Sequence, residues 1–99
     1  MEETYEESSY RTPSPVTLQH VMKLAVVNDK PIMMDYWTES LDNNVIIGVK
    51  EDDEKLLVKS ENEYTSPIAN IFKVDGDYII VTENSIYLVS ADISTKRIS

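Results

Sequence analysis

The sequence contains no cysteine. That removes disulfide frameworks, zinc ribbons and thiol nucleophiles, and it suits an intracellular setting better than a small secreted one. Glycine is nearly as scarce, with only Gly48 and Gly76, so no glycine-rich loop is present to cradle a phosphate. The single histidine, His20, has no carboxylate four residues to either side and reads as solvated, not as a ligand or base. No apolar run approaches the ~20 residues needed to span a bilayer. The acidic opening MEETYEESSY lacks the apolar segment of a secretory signal. Cations are few: nine Lys and Arg face eighteen Asp and Glu, a net charge of −9. Sequence-independent nucleic-acid binding draws its energy from Lys and Arg on phosphates, so this balance disfavours it. The charge reads first as solubility and self-repulsion.

What is present fits one domain. A chain of 99 residues this small buries roughly 60–65% of its unfolded surface, which makes help from a partner surface or an oligomer plausible. Residues 1–15 (MEETYEESSYRTPSP) hold four Glu, three Ser and two Pro with no aliphatic beyond Met1, and composition predicts a disordered acidic arm there. Tyr5, Tyr10 and Ser14-Pro15 are contact or phosphorylation points within it, or parts of an ordinary tail. Residues 16–28 (VTLQHVMKLAVVN) predict the one helix. Leu18, Val21, Met22 and Ala25 form its apolar stripe at i, i+3, i+4 and i+7, with Gln19, His20 and Lys23 opposite. Ser14 is its N-cap candidate ahead of Pro15, and Pro31 ends it by pushing Lys30 out of the helical region.

Beyond Pro31 the apolar period changes to two. Strands are expected over 32–37, 45–50, 55–59, 68–74, 78–82 and 85–89. A hairpin is expected across Glu51–Glu54, and residues 60–67 read as a loop or irregular edge. Asp75-Gly76 is the clearest hairpin signal, read as a type I′ turn with glycine at positive φ. Tyr78-Ile79-Ile80-Val81 and Ile86-Tyr87-Leu88-Val89 are apolar on both faces. Such strands close on themselves, take a helix on one side, or offer a face to a partner. The expected fold is mainly β (α+β): a short N-terminal helix followed by five or six antiparallel strands, in a small barrel of SH3 or Sm type. The expected organisation is arm 1–15, domain 16–90 and a C-terminal tail 91–99.

Candidate chemistry is sparse. The Glu51–Glu54 run is the best metal candidate, but consecutive carboxylates without a glycine diverge across a turn, so a solvated turn is expected and no metal site. Asp75-Gly76-Asp77 reads as a turn. Asp35 sits inside an apolar run. Buried, it would need Lys50 or Lys59 as partner; otherwise it faces water at a strand edge. No catalytic residue and no cofactor is expected. The densest apolar and aromatic group is Met33, Met34, Tyr36 and Trp37. With Tyr87, these are the candidate protein contacts, since aromatic and Met side chains are enriched at interfaces; core packing is the competing reading. Trp37 is expected to be partly exposed.

Two resemblances bear on function. The helix-then-strands order, the opening Asp29-Lys30-Pro31-Ile32-Met33 and the closing Glu83-Asn84-Ser85-Ile86-Tyr87-Leu88 resemble the Sm-like fold. Its closing signature is an Arg-Gly-Asn turn before an apolar strand. Thr82-Glu83 stand where that family places Arg-Gly, so the resemblance implies the barrel without the basic group that helps hold RNA. Glu54-Lys55-Leu56-Leu57-Val58-Lys59, Glu63-Tyr64-Thr65-Ser66-Pro67-Ile68 and Thr82–Tyr87 look like small proteins of nucleocytoplasmic large DNA viruses, many of them virion components. That resemblance implies a minor structural or assembly protein, associated with a capsid, in the host cytoplasm or virion. The leading expectation is a non-enzymatic protein-interaction module, in a larger assembly or a homo-oligomer. The alternative is an Sm or SH3-like nucleic-acid-binding barrel, with Lys50, Lys55, Lys59 and Lys73 gathered on one strand face. An enzyme using Asp35 or Glu51–Glu54 carboxylates is the least supported class.

Overall fold

The computed structural model describes residues 10–98. In chain order they form α1 (Pro15–Asn28), β1 (Ile32–Met33), α2 (Trp37–Leu41), β2 (Ile46–Val49), β3 (Lys55–Ser60), β4 (Glu63–Tyr64), β5 (Ile68–Val74), β6 (Asp77–Thr82), β7 (Ile86–Ser90) and β8 (Ser94–Arg97). The protein is mainly β. One four-stranded sheet runs β1-β7-β6-β5 and the other β4-β3-β2-β8.

The expected closed barrel of antiparallel strands is corrected: two open sheets stack with α1 outside the first. β1 joins β7 in parallel, and β8 joins β2 in parallel, so each sheet is mixed. Closure fails because the last strand returns to its own sheet's edge beside β2 instead of bridging to the first sheet. The residues read as a tail from 91 onward therefore contain β8. The strand expected over 32–37 is cut to Ile32–Met33, and a second helix, α2, begins at Trp37. Local hydrogen bonds explain this. Trp37 N–H donates to Met34 O and Ser40 N–H to Tyr36 O, and the Ser40 hydroxyl, donating to Trp37 O and accepting from Ser90 N–H, fastens α2 to β7.

The two-faced apolar strands are explained by cover on both sides. Ile80 and Val89 pack with Val45, Ile47, Leu57, Tyr36 and Ile93 between the sheets. Ile79, Val81, Ile86 and Leu88 pack on the opposite face, with Val21 of α1 and Trp37. The β2–β3 hairpin forms as expected, with Ile46 opposite Val58 and Val49 opposite Lys55. The β5–β6 hairpin turns at Asp75-Gly76, but the left-handed residue is Asp75 (φ 55°), and no glycine takes positive φ. That corrects the type I′ reading. Aspartate tolerates this region because its short polar side chain bonds locally; here Asp75 Oδ2 accepts from the Ser14 hydroxyl at 2.6 Å.

Helix α1 begins as its sequence dictates. Ser14 caps it, its Oγ accepting from Thr17 N–H at 3.0 Å, with Pro15 at the first helical position. Its rotation differs from expectation. The buried residues are Thr17 and Val21, with Leu24 and Ala25 packed beside them, whereas Leu18 and Met22 face outward. The cause is Thr17, whose hydroxyl donates to Asp77 Oδ2 at 2.7 Å and so holds this side of the helix against the sheet.

A candidate docking surface on the first helix

The N-terminal clamp sets the position of α1. Asp77 is fully buried. Its carboxylate accepts from Arg11 Nη1 at 2.7 Å, Ser14 N–H at 3.0 Å and the Thr17 hydroxyl at 2.7 Å. Burial alone pushes this carboxyl up, but the Ser14, Thr17 and Arg11 donors outweigh it and hold it below the ordinary carboxylate value. Arg11 also donates to Gly76 O at 3.1 Å and stacks 5.0 Å from the Trp37 ring centre. Of the arm expected over 1–15, residues 1–9, including Tyr5, lie outside the described residues. Tyr10 is engaged through its hydroxyl, donating to Asp42 Oδ2 at 3.0 Å, which raises its pKa, and Arg11 and Ser14 are tied to the β5–β6 turn.

With one side of α1 fixed inward, the other carries an unexpected load of apolar surface. Leu18, Met22 and Val26 follow one another at i, i+4 and i+8 and are 39%, 62% and 81% exposed; Val27 is 74% exposed on the side facing β5, and Val16 is exposed too. Surface helices ordinarily put polar residues there. This helix has a second apolar stripe with nothing over it among the described residues.

Next to that stripe, α1 and β5 bound a groove of about 660 Å³. His20, Lys23, Leu24 and Val27 line it from the helix, and Ile71–Val74 with Ile79 from the sheet. A second groove, about 680 Å³, lies on the outer face of the second sheet over Ile46, Leu56, Val58, Tyr64 and Ile98, with Lys50 and Lys59 at its rim. Both lysines there face carboxylates, Glu54 at 3.5 Å and Glu63 at 3.8 Å.

The residues expected to make protein contacts are scattered. Trp37 is 6% exposed and buried against Val21, Ile79 and Leu88. Its expected exposure is corrected: α2 turns the ring inward, where its Nε1–H donates to Arg11 O at 2.8 Å. Tyr36 is buried between the sheets, edge-on to Tyr87 at 5.3 Å and 4.6 Å from Lys59 Nζ. Burial pushes the Tyr36 phenol up to about 12, with Tyr87 and Asp35 adding to it; burial also raises Tyr87. Met33 is half-buried in β1 and Met34 is exposed. Of this set, Met34 alone reaches well into solvent.

The remaining candidates form no pocket together. Asp35 is exposed, and Lys59 reaches its main-chain oxygen at 2.9 Å, not its carboxylate. Glu51 and Asp52 are exposed, Asp53 faces Arg97 at 3.6 Å and Glu54 faces Lys50. No three His, Asp or Glu side chains converge as a metal site requires among the described residues. Lys50, Lys55, Lys59 and Lys73 do not line one strand face; Lys50 and Lys59 flank the second-sheet groove, and Lys73 lies at the helix groove. No helix among the described residues is long and apolar enough to cross a membrane.

The residues that sequence reasoning missed are Val26, Val27 and Phe72; Lys23 and Lys73 were named there, but not together at one groove. The signal for the first two was present: α1 carries two apolar stripes, Val21/Leu24/Ala25 and Leu18/Met22/Val26, where one suffices to pack a helix. Comparison with protein-family models, with curated proteins and with solved structures finds no match for this chain.

Proposed function

We propose that this chain is a non-enzymatic protein-interaction module, a minor component of a larger assembly that docks through the outward side of α1. The observation that carries this reading is the exposed stripe Leu18, Met22 and Val26. Contiguous exposed apolar surface on a small soluble domain marks a contact site. The occupant is another protein. A net charge of −9 repels phosphate backbones and anionic lipid surfaces, which leaves protein as the matching apolar surface. The assembly setting agrees with the resemblance to small virion-associated proteins, and the nucleic-acid alternative gains no comparable support. Five of the nine cations, Arg11, Lys30, Lys50, Lys59 and Arg97, are engaged with carboxylates or main-chain oxygens of this same chain.

The test is the double variant Met22→Gln/Val26→Gln, sedimented through a density gradient in extracts of the source cells. The wild-type chain travels with a larger particle and the variant travels alone, although both unfold at the same urea concentration. Equal co-sedimentation of both chains, or a wild type that sediments only as a free monomer, contradicts the proposal.

A further inference from the structure

Strand β5 ends the first sheet, and its outer edge pairs with no other strand among the described residues. At seven residues it is the longest of the four open edges; β1 and β4 have two residues each and β8 four. Its register with β6 slips between Ile68 and Asn70 and is then regular from Asn70 to Val74. Open edges of this length are templates for another strand, and proteins usually blunt them. Here the bulge blunts one end and leaves five residues regular.

The groove beside α1 runs along this same edge. Ile71, Phe72, Lys73 and Val74 line it consecutively. Side chains alternate faces along a strand, and Phe72 and Val74 share the α1 side with Ile79 and Asp77 opposite them, so the groove borders the β5 main chain as well as its side chains. Its charge is out of keeping with the rest of the molecule. His20, Lys23 and Lys73 line it and no carboxylate does. Neither Lys23 nor Lys73 has an ion-pair partner among the described residues, whereas Arg11, Lys50, Lys59 and Arg97 each have one. The second-sheet groove, by contrast, has paired lysines and Glu61 in its lining.

We infer that β5 and the α1 groove capture an extended segment of a partner protein that alternates apolar and acidic residues, added as a fifth strand to the first sheet. Its apolar side chains lie on the α1 side beside Phe72, Leu24 and Val27. Its carboxylates lie on the other face, the face of Lys73, and Lys23 at the helix rim adds positive charge along the same edge. Main-chain hydrogen bonds supply affinity and the alternation supplies selectivity, as in other strand additions. This rests on the reading of the chain as an interaction module and adds the partner's conformation and charge.

The experiment titrates the full chain with fluorescent seven-residue peptides, the length of β5, one alternating Val and Glu and one alternating Val and Lys, and with single-stranded DNA of similar length. Amide hydrogen exchange is read on the same samples. The Val/Glu peptide binds saturably, weakens as salt rises, and slows exchange within Asn70–Val74. Lys23→Glu/Lys73→Glu weakens it by about tenfold or more, and Lys23→Gln/Lys73→Gln, the milder change at two exposed positions, gives a smaller loss in the same direction. Met22→Gln/Val26→Gln leaves peptide binding intact, which separates this site from the outward stripe. Equal binding of the Val/Lys peptide, DNA binding in place of peptide binding, absence of protection at Asn70–Val74, or no saturable binding overturns the inference while leaving the outward-stripe reading to its own test.

Discussion

Strands β6 and β7 are apolar on two faces and so is helix α1, yet the two regions meet different fates. Ile79, Ile80, Leu88 and Val89 are all fully buried, because α1 covers one face of the first sheet and the second sheet covers the other. On α1, Val21 is buried while Met22, its immediate neighbour, is 62% exposed. A second apolar face has found its cover among the described residues in one region and not in the other. The hydrophobic effect acts alike on both, and the uncovered stripe is the surface on which the proposed contact rests.

The contrast can be broken first at the strands. Ile79→Ala or Leu88→Ala removes a side chain enclosed between α1 and the first sheet, and each loses about 2–5 kcal/mol in urea unfolding. A loss below ~1 kcal/mol for both would show that α1 is not a tight cover.

The clamp that orients α1 comes next. Asp77→Asn discards the charge that accepts from Arg11, Ser14 and Thr17, with an expected loss of about 1–3 kcal/mol at neutral pH. Its pH signature is separate. The folded pKa of Asp77 lies below the ordinary value of 3.8, so its stabilisation is present above that value and is lost as pH falls through the folded pKa. Unfolding midpoints measured at successive acid pH values should fall there for the wild type, and less steeply for Asp77→Asn.

Tyr36 gives the opposite sign. Its phenol is raised from 10.0 to about 12, so the fold favours the neutral form. Its contribution is complete below pH 10 and is lost as pH rises towards 12. Tyr36→Phe should flatten the alkaline limb of the stability profile, and an unchanged limb would place that loss elsewhere.

The smallest effects belong to the outward side of α1. Met22→Gln and Val26→Gln should each stay within ~0.5 kcal/mol of the wild type, as exposed substitutions do. Val21→Gln, one position from Met22, should instead cost several times more by burying an amide without a partner. Similar costs at positions 21 and 22 would erase the difference between the two sides.

Much of the fold was legible in the residues. Ser14-Pro15 and Pro31 mark the ends of α1, the β2–β3 and β5–β6 hairpins follow their turns, and the two-faced strands imply cover on both sides. The rotation of α1 was not legible, because its two apolar stripes are equivalent in pattern and the choice rests on Thr17 meeting Asp77, sixty residues away in sequence. α2 was hidden because Trp37-Thr38-Glu39-Ser40-Leu41 follows an apolar run, and its helix is held by Ser40 bonding to β7. β8 reads as a polar tail because all four of its residues are exposed; its pairing with β2 is long-range and leaves no alternation to detect. The aromatic group at 33–37 drew attention as a contact site, but Tyr36 and Trp37 are claimed by the core. The proposed contact surface lies on α1 and β5, where the decisive feature is the lack of cover among the described residues, and a pattern along the chain does not record cover.

The most direct measurement places a photo-activated crosslinking side chain at Leu18, Met22 or Val26, and at the exposed Glu61 and Lys96 for comparison, in the full chain within its source cells. One discrete adduct of higher mass is expected from the three α1 positions and none from the other two. Adducts of equal yield from all five positions, or none from α1, would contradict the proposed docking.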